Sequence, residues 1–543
     1  MTTPGSPADH RPRHRVRSLV LVALIVGAAV FLRLWRIEWA LADGAWFPDE
    51  VLWAHSAALF SPLSWHAFVD GRHLRLPYPT GYAILSGLGL ATANGLGLSA
   101  FGSPEPDAIL IARLVSAAAG VGTVVLLGLL ARRMAGAAVG LAAAALMAVV
   151  PLHAMQNHYA SADVLHTACV VLVMWAAWAV ATRGTRGSAF ALGAATGFAF
   201  ATKYTGLAMA GTAVLVIGDR VVRQRSVERA VDLGVWLAAG FVIAVSLGCP
   251  PCIMAPDRVL GIWRWQWTFK DSDFVINHLV PSLGWYGRPY AYQLVAAFPY
   301  ILGWPAYLLA LLGLAAAVRR RDAGDRVVLA TIVPYFLAMG ASRVTLLRYL
   351  LPIVPGLVIL AARSGALLEQ RRWLWSGAVI AACGYGFALT ATQIARYSLT
   401  PQLEVARWAA NVMPAGTSPR IVAPATLQSY VLLARPLAVQ GLACAQAEDG
   451  RWFEDAPDVF VLPELQAVAI RRDDPDGVAA AELRRLESGE LPYRAARRWR
   501  SWYLQRGVYT WLDPGFAISE GAMDFTVYVR DPQAPRSVSA TSR

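Results

Sequence analysis

Long apolar runs separated by short arginine-rich clusters occupy residues 18–395 of the chain. A helix needs about 20 apolar residues to cross the hydrocarbon layer of a bilayer, and about eleven of these runs approach that length. They lie near residues 18–37, 108–131, 137–157, 164–182, 188–202, 205–219, 232–249, 291–317, 327–341, 348–362 and 373–393. This pattern predicts a polytopic α-helical membrane protein.

The composition favours the same class of protein. Only 15% of the 543 residues are charged and 57% are hydrophobic, whereas a soluble domain carries about 25% charged residues. The net charge of +13 does not indicate nucleic-acid binding, because the arginines stand between apolar runs, as they do in the cytosolic loops of membrane proteins. The expected partner is therefore the lipid bilayer, with no nucleic acid.

The arginine clusters predict which side of the membrane each connection faces. If the basic tail, residues 1–17, is cytosolic, every second connection should be rich in arginine. The clusters that meet this expectation are Arg132-Arg133, Arg183/Arg186, the 220–229 stretch, Arg319-Arg320-Arg321 and Arg363/Arg371/Arg372. With about eleven crossings, residues 396–543 lie outside the cytosol.

Two apolar stretches need the charge rule for their assignment. If residues 80–100 crossed the membrane, Arg132-Arg133 and every later cluster would face outward, so this stretch is predicted to be a re-entrant or juxtamembrane helix. Residues 188–218 are too long for one crossing, and a single crossing would put the 220–229 cluster outside. Two short spans that meet near Lys203 fit better, and such broken helices often mark a binding site.

Three large elements are predicted on the outer side: the loop 38–107, the tryptophan-rich stretch 250–290, and everything after residue 395. The last has the mixed composition of a soluble domain, and its pattern indicates an α/β fold. Helices are expected near 401–415 and 478–487, and strands near 420–423, 459–462 and 525–530.

The five cysteines do not form a disulfide framework. Cys249-Pro250-Pro251-Cys252 has the spacing of a redox pair, yet no thioredoxin-like βαβ pattern surrounds it. An incidental or structural pair is therefore favoured over a catalytic one, and the sequence leaves open whether the two cysteines form a disulfide.

Ionisable residues converge on the outer membrane boundary of this topology. They are Asp49-Glu50 after the first span, Asp163 at the start of the fourth, and Lys203, one of two lysines in the chain with Lys270. Each has a structural alternative, since an acid can interact with a helix N-terminus and a lysine can snorkel. Charged groups near hydrocarbon are costly, however, so their convergence predicts a functional site.

Carboxylates beside cations suit the transfer of a phosphate-linked group. One carboxylate can take the proton of an attacking hydroxyl, while the cations neutralise the charge that develops on the leaving phosphate. Further cations on the same side are Arg288, Arg343 and Arg348, the last of them followed by Tyr349.

In their order along the chain, these motifs resemble those of the C-type (GT-C) glycosyltransferases, in the bacterial branch related to protein O-mannosyltransferases and the lipid A aminoarabinose transferase. Thr80 departs from the pattern, because many relatives have a second proline there. The motifs that carry the resemblance are Pro48-Asp49-Glu50, Tyr78-Pro79-Thr80-Gly81-Tyr82, Arg113, Asp163, Ala201-Thr202-Lys203-Tyr204-Thr205-Gly206, Arg348-Tyr349-Leu350-Leu351-Pro352, Trp408-Ala409-Ala410-Asn411 and Val527-Tyr528-Val529-Arg530.

The resemblance implies a GT-C catalytic domain over residues 18–395 and a periplasmic domain over 396–543, in the bacterial cytoplasmic (inner) membrane. It implies a polyprenyl-phosphate sugar donor, transfer with inversion, and a protein, lipid or glycan acceptor. The implied catalytic residues are Asp49, Glu50 and Asp163; the residues facing the donor phosphate are Lys203, Arg348, Tyr349, Arg288 and Arg343; and those contacting donor or acceptor are Tyr78, Tyr82 and Tyr204. Asp49 and Asp163 permit a divalent cation (Mg, Mn or Zn) without requiring one.

Two other classes of protein fit this sequence less well than an enzyme does. A transporter or flippase of a lipid-linked sugar is disfavoured because the chain shows no internal repeat and its acids gather at one face rather than at the bilayer midplane. A structural or assembly protein would concentrate its function in the C-terminal part, which leaves the acidic motifs of the membrane part without a role.

Overall fold

The computed structural model describes residues 11–42, 48–59, 78–269, 289–341, 346–367, 371–395, 401–412, 419–424, 434, 436–447, 451–500 and 524–533. Within these ranges the chain is helical up to residue 412, and five short strands lie between residues 421 and 530. The apolar runs form helices because a helix satisfies every backbone hydrogen bond within the segment itself.

The α-helices that precede the first strand are Arg11–Leu34, Pro48–Leu59, Gly81–Gly95, Pro104–Ala135, Ala137–Ala148, Pro151–Gln156, Ala162–Thr182, Arg186–Thr202, Ala210–Gln224, Val227–Gly248, Pro251–Met254, Pro256–Phe269, Pro289–Tyr292, Phe298–Leu302, Trp304–Arg320, Ala323–Gly340, Val354–Arg363, Arg372–Ala395 and Pro401–Val412. Tighter 3₁₀ turns occupy Tyr204–Met209, Leu347–Ile353 and Ser364–Leu367. A π-helical turn occupies Gln293–Ala297.

Seven of the described helices are long and apolar enough to cross a membrane, and there are eight such crossings if one bent pair counts as a single span. Ser18–Leu34 and Ala137–Ala148 are shorter apolar helices, and Arg186–Thr202 has 17 residues. These three helices coincide with three of the predicted spans. The polytopic helical architecture is confirmed, and the count of about eleven crossings stays a prediction.

The run at 291–317 is not the straight span that its length predicts. The helix axis bends by 120° between its two halves, Tyr290–Leu302 and Trp304–Arg320. Gly303 lies at the bend with a φ of +80°, in the left-handed region that glycine adopts at little cost. The following helix has a proline in its first turn, where a missing N–H needs no partner.

The two stretches that the charge rule assigned have the expected local structure. Helix Gly81–Gly95 has 15 residues, so it is about 22 Å long and shorter than the ~30 Å hydrocarbon layer. Residues 188–218 break where predicted, because Lys203 has an extended backbone (φ −154°, ψ 136°) between helix Arg186–Thr202 and the 3₁₀ turn Tyr204–Met209.

Glycines let helix Arg186–Thr202, which ends at this break, approach helix Val227–Gly248 closely. On helix Val227–Gly248, a Cβ added at Gly240 would collide with the backbone carbonyl of Phe190 on helix Arg186–Thr202. A Cβ at Gly193 would collide with the carbonyl of Leu237 in the same way. Close backbone contact of this kind is a main source of helix association within a bilayer.

The segment after residue 400 contains a five-stranded sheet. Its strands are β1 Ile421–Pro424, β2 Cys444–Ala447, β3 Val459–Pro463, β4 Tyr493–Trp499 and β5 Phe525–Arg530, in the order β2-β1-β3-β5-β4. β1 pairs in parallel with β2 and β3, whereas β5 pairs antiparallel with β3 and β4. Three of these strands coincide with the runs predicted from residue alternation.

Helices cover both faces of this sheet. Helix Pro401–Val412 buries Val405, Ala406 and Ala409 against one face. The other face carries helices Glu464–Asp473 and Val478–Ser488, with Leu483 and Leu486 in the core.

The close helix contact predicts that Gly240→Ala destabilises the chain by about 1–3 kcal/mol, because the added methyl would overpack a backbone carbonyl that cannot move aside. Thermal unfolding of the detergent-solubilised chain measures the loss. Gly234→Ala, on the same helix, is the matched control, since a Cβ there meets nothing within 4 Å. Equal unfolding temperatures for the two variants would show that this contact does not hold the helices together.

Candidate active site

Four ionisable side chains from distant parts of the chain meet in two neighbouring ion pairs. Asp49 and Asp163 each lie in the first turn of a helix. Lys203 occupies the break between two helices, and Arg348 lies in a 3₁₀ turn. The structure thus brings together four of the predicted site residues, and the prediction that they converge agrees with this geometry.

The first pair joins Arg348 and Asp49, with 3.1 Å between Nη2 and Oδ2. The arginine side chain is 22% exposed and the aspartate 34%. Part of each group is therefore accessible to a ligand. Asp49 is more exposed than Asp163, the other aspartate of the site.

The second pair joins Lys203 and Asp163, with 2.5 Å between Nζ and Oδ1, and each side chain is only 7% exposed. The hydroxyl of Ser161 donates to the other carboxylate oxygen of Asp163 at 2.7 Å. Both oxygens of Asp163 therefore have partners, and this carboxylate is held in one orientation.

Aromatic rings surround the buried lysine. Lys203 Nζ lies 4.5 Å from the ring centre of Tyr349 and 5.8 Å from that of Tyr78. Tyr78 in turn stacks on Trp53, with ring centroids 5.7 Å apart. Burial raises the pKa of Tyr78 well above its usual value, so its phenol stays protonated. The rings shield the ammonium group from water and strengthen its electrostatic interactions.

Glu50, the neighbour of Asp49, makes a different set of contacts. Its two carboxylate oxygens accept hydrogen bonds from Nε and Nη2 of Arg113 at 2.8 and 2.9 Å, and the backbone N–H of Ala160 also donates to it at 2.9 Å. The side chains of this pair are 1% and 0% exposed. Glu50 therefore joins the helix start that carries Asp49 to the helix of Arg113.

The remaining predicted contact residues lie in different surroundings. The hydroxyl of Tyr82 bonds to the carbonyl of Ala112 at 2.6 Å and to Ser116 at 2.9 Å, and Tyr204 packs against Phe200. Of the predicted tyrosines, Tyr78 and Tyr349 border Lys203. The predicted phosphate ligands Arg288 and Arg343 lie outside the described residues.

His166 is a site neighbour that the motif search missed. Its Nδ1 lies 3.1 Å from the carbonyl oxygen of Ala199, and its Nε2 lies 3.4 Å from the hydroxyl of Thr205. The imidazole thus touches the chain on both sides of the break that carries Lys203. Its position three residues after Asp163 places it on the same helix face, which was the available sequence signal.

Asp49 and Asp163 are arranged to pair with cations of the chain rather than to share a metal ion. Among the described residues, no group of three or more His, Cys, Asp or Glu side chains could hold a metal. Each of the two aspartates already faces a cation of the chain, Arg348 or Lys203. Lys203 and Arg348 therefore supply positive charge beside the two carboxylates that were predicted to permit a divalent ion.

Residues 101–247 match the family described as dolichyl-phosphate-mannose-protein mannosyltransferase. The fold resembles the crystal structure of ArnT from Cupriavidus metallidurans in the apo state, with a TM-score of 0.50 and 15% identity, over 95% of this chain and 100% of that chain. The structure of that ArnT bound to undecaprenyl phosphate gives a TM-score of 0.50 and 15% identity, over 95% and 99%. No curated protein matches the chain.

The match over residues 101–247 and the shared fold confirm the predicted resemblance to GT-C glycosyltransferases. The prediction of an enzyme agrees with both findings. Arg113, Asp163 and Lys203 are among the site residues that fall within the matched stretch.

The buried Glu50–Arg113 pair predicts a large loss of stability on removal of one partner. Arg113→Met leaves an uncompensated buried carboxylate and is expected to cost about 3–5 kcal/mol. The double variant with Glu50→Gln should recover part of this loss, because the orphan charge is gone. Thermal unfolding of the four members of this cycle measures the coupling. Additive effects of the two changes would contradict a direct interaction.

Proposed function

We propose that the chain is an inverting glycosyltransferase that moves a sugar from a polyprenyl-phosphate donor to an acceptor hydroxyl at the outer face of the bacterial cytoplasmic membrane. The observation that carries the proposal is the juxtaposition of a partly open Asp49–Arg348 pair with a buried Asp163–Lys203 pair. The undecaprenyl phosphate bound by the structurally similar ArnT supports a lipid phosphate as the donor.

Asp49 acts as the general base for the acceptor. The acceptor oxygen forms a bond to the anomeric carbon of the sugar while the bond from that carbon to the phosphate oxygen breaks. Asp49 takes the acceptor proton, and the electron pair of the broken bond stays on the released polyprenyl phosphate. A single attack from the face opposite to the phosphate inverts the anomeric configuration.

Arg348 and Lys203 bind the phosphate, where negative charge grows as the bond breaks. The planar guanidinium of Arg348 can bond two phosphate oxygens at once. As the donor phosphate takes over Arg348, its ion pair with Asp49 weakens, and the carboxylate becomes free for the acceptor. The ammonium of Lys203 is desolvated among aromatic rings and therefore interacts strongly with added negative charge.

Asp163 and Glu50 orient these groups. Asp163 holds Lys203 through an ion pair that is closed to solvent, and Ser161 holds Asp163. Glu50 anchors the start of the helix that carries Asp49 through its two bonds from Arg113.

The charges at the opposite end of the helices support an extracytosolic site. Helix Pro104–Ala135 carries Arg113 near the site and Arg132-Arg133 in its last turn. Arg363 ends the helix that follows Arg348, and it pairs with Asp322 and with Asp325, 3.1 Å away. Arginine is enriched on the cytosolic side of membrane proteins, so the site faces the other side, together with the α/β segment after residue 396.

Asp49→Asn should lower the transfer rate by about 10²–10⁴-fold, because the amide keeps the size of the carboxylate but cannot accept the proton. The measurement is release of polyprenyl phosphate from a sugar-labelled lipid donor by membranes containing the variant. Asp257→Asn is the control, since Asp257 is an exposed acid in the first turn of helix Pro256–Phe269 and its activity should equal that of the unmodified chain.

Transfer by Asp49→Asn at the unmodified rate would overturn the assignment of the base. Movement of the labelled lipid across the membrane without any new glycosidic bond would instead favour a flippase. Equal folding of both variants, checked by gel filtration in detergent, separates these outcomes from a loss of structure.

The two fixed cations predict that activity does not depend on a divalent metal. Transfer in membranes washed with EDTA should stay within about two-fold of the untreated rate, since Arg348 and Lys203 provide the charge that a metal ion would supply. A loss of activity that Mg, Mn or Zn restores would show that a metal takes part.

Arg348→Lys keeps the positive charge but loses the bidentate hydrogen bonding of the guanidinium, so it should lower the transfer rate.

A further inference from the structure

The cysteine pair Cys249-Pro250-Pro251-Cys252 directly follows helix Val227–Gly248. The ion pair of Arg229 and Asp232 lies at the opposite end of this helix. Cys249 and Cys252 are both free thiols in this structure, and their Sγ atoms lie 2.6 Å apart, well within van der Waals contact. The backbone N–H of Cys252 donates to the carbonyl of Cys249 at 2.8 Å. This turn therefore brings the two side chains together.

The turn also touches the segment that carries Tyr78. The hydroxyl of Thr80 donates to the carbonyl of Gly248, the residue before Cys249, at 3.0 Å. The thiol of Cys252 donates to Sγ of Cys249, and this hydrogen bond lowers the pKa of Cys249 below its ordinary value. A lower pKa favours the thiolate from which a disulfide forms.

Contacts continue from this turn to the active-site lysine. A Cβ at Gly81 would lie 2.8 Å from the carbonyl oxygen of Ala201, and a Cβ at Gly248 would lie 2.7 Å from the Cβ of Ala201. Lys203 follows two residues later and faces Tyr78. The cysteine pair, the Tyr78–Gly81 turn and the Lys203 break therefore form one continuous set of contacts.

We propose that Cys249 and Cys252 are oxidised to a disulfide that holds the Tyr78–Gly81 turn against the Lys203 break, and that this oxidised form is the fully active one. The two thiols lose two protons and two electrons to a disulfide-bearing oxidant, which is reduced to two thiols. Such oxidants act in extracytosolic compartments. The extracytosolic position of the pair and the effect on activity rest on the proposed function, whereas a thiol count is read without any transfer assay.

Cysteine counting tests the bond. Cells are treated with a small alkylating reagent, and the purified, denatured chain is then labelled with a maleimide polymer before and after reduction. Reduction should expose two of the five cysteines. In Cys249→Ser, reduction should expose at most one additional cysteine to the label, so the paired release of two thiols is lost. In Cys444→Ser, the control, reduction should still expose two. No release from the unmodified chain, or a paired release that persists in Cys249→Ser, would overturn the proposed bond.

The transfer rate tests the consequence of the bond. Dithiothreitol should lower the rate of the unmodified chain several-fold and raise the KM for the lipid donor, because Tyr78 and Lys203 lose their fixed spacing. Cys249→Ser should show the lower rate with or without the reductant, while Cys444→Ser should behave like the unmodified chain. A disulfide whose reduction leaves both rate and KM unchanged would overturn the coupling. Absence of transfer in every sample would contradict the proposed function and leave the thiol count to decide the bond.

Discussion

Charges that lie between packed helices must be paired, and this requirement organises the outer end of the bundle. The buried pair between Glu50 and Arg113 joins two segments that are 63 residues apart in sequence. Arg113 also donates to the carbonyls of Ile37 and Trp39, so one guanidinium ties the end of the first helix to the start of the next. Asp49 takes its position from that arrangement, because it directly precedes Glu50.

The site depends equally on interrupted helices. Lys203 can reach Asp163 because the chain is extended between two helices rather than continuous. Arg348 likewise lies in a 3₁₀ turn before the helix that carries Arg363. Irregular backbone at membrane depth is tolerated where protein surrounds it, and here the surrounding groups are His166, Tyr349 and Tyr78. The interruptions thus bring polar side chains of distant segments together at the site proposed for the donor phosphate.

The same arrangement explains why two adjacent acids have different contacts. Successive residues of a helix point about 100° apart, so Asp49 and Glu50 cannot face the same partner. Glu50 is enclosed and satisfied on both oxygens, whereas Asp49 is partly open beside Arg348. A reaction that exchanges a proton needs the accessible carboxylate, and a bundle that must keep its shape needs the enclosed one.

The sequence by itself determined the helical class of fold, the helix break at Lys203 and which acids and cations were candidates for a site, since hydropathy, charge and helix length are local properties. Only the tertiary structure decided which acid meets which cation, because Asp49 and Arg348 are 299 residues apart and no local pattern links them. It also decided the 120° bend at Gly303 and the contact of His166 with the Lys203 break. These features depend on how helices pack, which a single sequence does not record.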